Sequence, residues 1–196
     1  MDYPFVVGRM HVFNGTSINH PYFSDYRPVN GSLIFKNKKY EADALLYDIK
    51  NDRLVYRYYS SNFEINSISL DENFVSGFSI RNSVFRYFGG LRTKSGRKLK
   101  DGYYEVVHDG KVKFLVRWEK TESFDLNEAH KFTVLKNMFM LKDGVVVAIK
   151  NKIQLMSHFA DKKREVKKMI KQNHIILKLR DNSSVNEVFG YYESLL

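Results

Sequence analysis

Six histidines, 22 acids and no cysteine are the residues with which this 196-residue chain would have to do chemistry. The histidines stand at His11, His20, His108, His130, His158 and His174. No two are two or four residues apart and there is no His-Glu-x-x-His, so metal-ligand spacing is missing. Without cysteine, thiolate metal sites, a thiol nucleophile and disulfides are excluded together. The expectation is a protein with no metal and no cofactor.

The acids are more suggestive. Asp43, Asp48 and Asp52 bracket one predicted hairpin, and Asp48 with Asp52 has the oxygen chemistry a hard cation would use. The segment lacks the alternating acids and central glycine of a calcium loop, and a turn at Asn51-Asp52 accounts for the same residues more economically. A glycosidase pair cannot be read from 22 acids without their spacing in space. No Gly-x-Ser-x-Gly is present, and "VSGFS" lacks the leading glycine. "GGLRTKSGRK" has no Gly-x4-Gly-Lys-Ser/Thr and no strand-to-helix context, so it is not a phosphate loop.

Two kinds of binding residue are left. Tyr103, Tyr104 and Trp118 are candidates for stacking against a ligand if their faces are exposed, although aromatics in strands usually fill a core or pair across strands. Lysine and arginine are the second kind. The net charge is +10, and it is local: residues 86–100 carry six cations and no acid, residues 151–196 nine cations against five acids, and the rest balances. Arg92, Lys94, Arg97, Lys98 and Lys100 in the first segment, and Arg164, Lys167, Lys168 and Lys171 in the second, are candidate contacts for a polyanion or partner. No helix-turn-helix, ribonucleoprotein or zinc pattern accompanies them, so nucleic acid is not the expected partner.

Residues 31–150 alternate short β-branched and aromatic runs with turn dipeptides, which predicts about nine to eleven antiparallel strands. Asp109-Gly110 and Asp143-Gly144 both suit a type I′ turn. After Lys150 the apolar period changes from two to about 3.6 and predicts three helices. Their expected starts are Asn151 with Gln154, Asp161, and Ser184 with Glu187. If the register continues through Asp161, Leu155, Met156, Phe159, Val166, Met169 and Ile170 fall within about 140°. "DKKREVKKMIKQN" is then a packing helix with a wet basic face. In the third helix Val185, Val188, Phe189, Tyr192 and Leu195 make one apolar stripe.

The fold class expected is α+β: an antiparallel β-rich body, sandwich or partly open barrel, with about three C-terminal helices. The expected organisation is an N-terminal β subdomain at 1–90, a basic loop or linker at 91–102, and β-hairpins plus helices at 103–196, with one continuous domain as the alternative. No run approaches the roughly 18 apolar residues that span a bilayer.

The stretches "HPYF…YRPVNGSLIFKNKKYEADALLYDIKNDRLVY" and "LMSHFADKKREVKKMIKQNHIILKLRDNSSVNEVFGYYESL" resemble the two ends of a family of uncharacterised exported proteins of Gram-negative bacteria. The shared features are a hairpin leading to Leu46-Tyr47-Asp48, a Phe-x-Asp-Lys-Lys segment at Phe159 to Lys163, and the terminal Tyr191-Tyr192 pair. The resemblance implies a periplasmic or cell-surface protein. "MDYPFVVGRM" has no basic region followed by an apolar one, so export would require that a signal peptide has been removed; otherwise the cytoplasm is expected. The function expected is a non-enzymatic envelope protein that binds a protein or small ligand. Polyanion binding by the two basic segments is the alternative, and a hydrolase with acidic catalytic residues is a third.

Overall fold

A computed structural model describes residues 4–12, 17–60, 62, 64–124, 130–159 and 161–196. Its class is α+β, an antiparallel β-rich body followed by three C-terminal helices. Twelve strands are present among the described residues: β1 (Gly8–Met10), β2 (Val29–Phe35), β3 (Lys38–Asp48), β4 (Arg53–Tyr59), β5 (Ile65–Leu70), β6 (Val75–Ile80), β7 (Ser83–Phe88), β8 (Arg92–Thr93), β9 (Gly102–Asp109), β10 (Val112–Phe124), β11 (His130–Lys142) and β12 (Val145–Ile149). The helices are α1 (Lys152–His158), α2 (Lys163–Gln172) and α3 (Asn182–Ser194). The count exceeds the expected range because β1 and β8 have three and two residues, too few to show a period.

The chain divides into two compact units, Met1–Tyr87 with Trp118–Lys136, and Phe88–Arg117 with Asn137–Leu196. In the first, the hydrogen-bonded order is β1-β5-β4-β3-β2-β6-β7. Two-residue turns set much of this register. Lys36 and Asn37 both take positive φ, 48° and 63°, which gives the β2–β3 hairpin a twist that matches its strands. An aromatic cluster anchors the unit: Tyr47, Phe78 and Phe85 have mutual centroid distances of 4.9–5.0 Å, and Phe23 meets Phe85 and Trp118 edge-on at 5.1 Å each. Each such pair adds about 0.5–1.5 kcal/mol beyond the area it buries.

The second unit has the order β9-β10-β11-β12-β8, with β9–β10 and β11–β12 antiparallel and β12–β8 parallel. Asp143-Gly144 makes the expected turn, with φ of 51° and 75°. Asp109-Gly110 does not: neither residue takes positive φ, and the glycine instead leaves room for a side chain from α3. A Cβ on Gly110 would run into the Glu193 carboxylate, which lies against this turn and accepts the Val112 N–H at 2.7 Å.

The helices follow the apolar periodicity. Asn151 caps α1, accepting the Gln154 N–H at 2.9 Å, while the Gln154 side chain accepts from Lys150 N–H. Asp161 does not cap α2, which starts after Lys162; its carboxylate accepts the Tyr192 hydroxyl at 3.2 Å instead. The cap of α3 is Asp181, three residues before the expected Ser184, and it accepts from the Ser183 and Ser184 N–H groups. Ser184 is buried and donates to backbone carbonyls. Leu155, Met156, Phe159, Val166, Met169, Val185, Val188, Phe189 and Tyr192 are all buried, as the helical period requires. No described helix is long and apolar enough to cross a membrane.

Candidate functional site

The first unit gathers several titratable side chains on one sheet face, and the strand alternation explains how. In "RLVYRYY" the period of two that places Leu54, Tyr56 and Tyr58 on one face places Arg53, Val55 and Arg57 on the other. Val55 is opposite Leu46 on β3 and Ser69 on β5, and Arg57 is opposite Ser67, so Arg57, Ser67 and Ser69 share a face. Asp48, opposite Arg53, lies on that face too and is only 1% exposed.

Residues 17–23 cross this face and are held at several points. Ile18 N–H donates to His130 O at 2.9 Å, and Asn19 exchanges two hydrogen bonds with the Phe132 backbone at 2.7 and 2.8 Å. Phe23 N–H bonds Tyr47 O, and Ile49 N–H bonds Pro21 O. The Lys120 ammonium donates to the carbonyls of His20 and Tyr22 at 2.5 and 2.7 Å. Glu122, beside it on β10, accepts from both Lys50 and His130, which hold its carboxyl below the usual range. The Tyr22 ring is thereby pressed on Leu46 and Val55, with its hydroxyl over Arg57.

The polar groups form a directed chain. The Arg57 guanidinium beside the Tyr22 hydroxyl can only donate, which turns the hydroxyl proton toward His11 Nε2, 3.1 Å away. That fixes the tautomer: His11 Nδ1 carries the proton and donates to Ser69 Oγ at 3.0 Å. Burial lowers the His11 pKa and Arg57 lowers it further, against an upward pull from Asp48. Burial also lowers His20, with Lys120 adding to the effect and Asp25 opposing it. The Tyr22 hydroxyl is pushed up by burial, and the Lys120 ammonium down. Both imidazoles are therefore neutral at physiological pH, and Arg57 is the fixed charge.

A cleft of about 540 Å³ opens onto this chain. Arg57, His11, His20, Tyr22 and Ser67 supply its polar wall, and exposed Ile18, Tyr26 and Ile65 its apolar rim. That volume lies within the roughly 300–1,000 Å³ of small-molecule sites. The arrangement can donate several hydrogen bonds to an anion beside one permanent cation. It is poorly arranged for acyl transfer: His11 presents a proton to Ser69, where a general base must present a lone pair. Every described carboxyl with a clearly displaced pKa (Asp25, Asp101, Glu122, Asp181 and Glu193) is displaced downward, away from a general acid. No group of three metal-ligating side chains occurs among the described residues.

The residues singled out from the sequence lie elsewhere. Tyr103 and Tyr104, 2% and 1% exposed, are interior residues of the second unit. The buried Arg117 guanidinium lies over the Tyr104 ring and donates to Tyr103 O, and Phe88 and Phe139 meet Tyr104 edge-on, so neither tyrosine offers a face to a ligand. Trp118 is half-buried against Phe23, with the Lys136 ammonium over its ring at 4.8 Å. Arg92, Lys94, Arg97, Lys98 and Lys100 are exposed on a tight loop tied to itself, with Arg92 donating to Gly96 O and Lys98 paired with Asp101. Arg164, Lys167, Lys168 and Lys171 are exposed on α2, also in the second unit. Asp48 and Asp52 serve the turn: Asp48 accepts from Lys50 N–H, Asn51 N–H and the Asn51 amide, and Asp52, at φ 58°, accepts the Tyr47 hydroxyl.

His11, His20, Arg57, Ser69 and Lys120 escape motif reading because they come from separate segments. One signal was present: an arginine on the same strand face as Val55 is an unusual occupant of a half-buried surface. Comparison of the chain with family models, curated proteins and solved structures finds no match.

Proposed function

We propose that this is a binding protein whose first unit takes a small organic anion into the cleft above Arg57. The observation that carries the reading is the set Arg57, Tyr22 and His11, braced by Ser69, at the wall of an open cleft with an apolar rim. The guanidinium attracts a carboxylate, Ser67 and His20 add donors, and Ile18, Tyr26 and Ile65 cover the ligand's carbon skeleton. An envelope setting belongs to the same proposal, supported by the resemblance of residues 20–56 and 155–195 to exported proteins. Fractionation of cells expressing the native gene tests that part.

The ligand class is tested by thermal shift with benzoate against benzamide, which has the same skeleton without the charge. Benzoate raises the unfolding midpoint and benzamide does not. Equal shifts, or no shift from benzoate, acetate and phosphate alike, overturn the proposal.

A further inference from the structure

The second unit carries a surface that the cleft does not use. At about 100° per residue, Arg164, Lys167, Lys168 and Lys171 of α2 occupy one arc of roughly 100°, opposite buried Val166 and Met169. Glu165 is the single acid of the helix, and none of the four cations forms an ion pair among the described residues. The basic face therefore does not neutralise itself.

Two isoleucines bracket this helix in sequence and are nearly bare. Ile153 on α1 is 83% exposed and Ile176, just after α2, is 72% exposed. Ile176 belongs to a segment folded back on the last turn of α2, where Ile175 N–H bonds Ile170 O at 2.9 Å and His174 N–H bonds Lys171 O at 3.3 Å. The apolar side of α2 is committed to the protein interior, so the helix can approach a partner only with its cations outward.

We propose that the outward face of α2, with Ile153 and Ile176, docks on an anionic phospholipid surface. Charge complementarity selects the headgroups, since lysines and arginines near a negatively charged leaflet are attracted individually and additively. The isoleucines decide between lipid and nucleic acid. Acyl chains take up an exposed aliphatic side chain, whereas a phosphate backbone has no use for one and reads bases through aromatic or hydrogen-bonding groups. Stable peripheral binding requires two signals; the cationic arc is one, and the proposal assigns the other to Ile153 and Ile176. The docking is shallow and salt-sensitive, because nothing crosses the hydrocarbon.

The test is co-sedimentation of the full chain with phosphatidylcholine vesicles and with vesicles also containing phosphatidylglycerol, at low and high salt. Expected is binding to the anionic vesicles alone, lost at high salt, and weakened about tenfold or more in Lys167→Gln/Lys168→Gln. Ile153→Ser/Ile176→Ser also weakens it, and this pair leaves the cationic face intact. Absence of wild-type binding to anionic vesicles, or equal binding to both vesicle types, overturns the proposal, and neither readout depends on a variant folding. So does serine-variant binding equal to wild type with duplex DNA bound more tightly than vesicles, which makes the face a polyanion site.

Discussion

The Tyr22 hydroxyl and His11 Nε2 lie 3.1 Å apart, and the Arg57 guanidinium beside the hydroxyl favours the arrangement in which Tyr22 donates. Tyr22→Phe keeps the ring that packs on Leu46 and Val55 but leaves His11 Nε2 without its hydrogen-bond partner. The expected loss is about 1–3 kcal/mol in urea unfolding, the cost of orphaned half-buried polar groups. Nitrogen NMR of the wild type shows His11 protonated on Nδ1, and the variant populates the other tautomer.

Protonation runs against folding at this site. His11 and His20 have folded pKa values below the ordinary 6.5, so below about that pH the unfolded chain binds more protons than the folded one. Their stabilisation is complete above the unfolded value and is lost as pH falls through the folded value. Thermal unfolding midpoints measured from about pH 7.5 down to about pH 5.5 decrease, and His11→Gln flattens the decrease. Asp25 and Glu122, held low by their partners, act only in the more acidic carboxylate range. Anion binding has the opposite sign: a protonated imidazole adds attraction, so benzoate affinity rises over the interval in which stability falls.

Gly110 makes room for the Glu193 carboxylate, and its backbone angles do not call for glycine. Burial raises the Glu193 carboxyl, but the Val112 N–H, His108 and Lys111 outweigh it and hold the group low. Gly110→Ala displaces this carboxylate, orphans the Val112 N–H and removes His108 Nε2 from its 3.1 Å contact. A loss of about 1–3 kcal/mol is expected in urea unfolding. In a Glu193→Ala background the same substitution costs much less, which a double-mutant cycle measures.

Much of the fold was legible because it is local. The apolar periods placed the three helices, and Asp143-Gly144 announced its turn. The errors are instructive because each involves a distant partner. Asp161 is drawn to Tyr192 on α3 and leaves α2 without a side-chain cap, and Glu193 constrains the Asp109-Gly110 turn from eighty residues away. Of the cleft, only Arg57 left a trace, as a cation sharing a strand face with Val55. His11, His20, Ser69 and Lys120 become neighbours because β5 pairs with both β1 and β4 and residues 17–23 cross that face, and neither contact has a sequence period. Tyr103 and Tyr104 show the converse: adjacent strand residues point to opposite faces, and both are covered.

The claim that Arg57 is the charge that selects the ligand is tested most directly by calorimetric titration of benzoate into the wild type and into Arg57→Gln, each confirmed folded by its unfolding transition. Measurable saturable binding to the wild type, weakened at least about tenfold in Arg57→Gln, is the result predicted, tenfold being about 1.4 kcal/mol. Equal affinity in the two proteins, or no binding to the folded wild type, contradicts it.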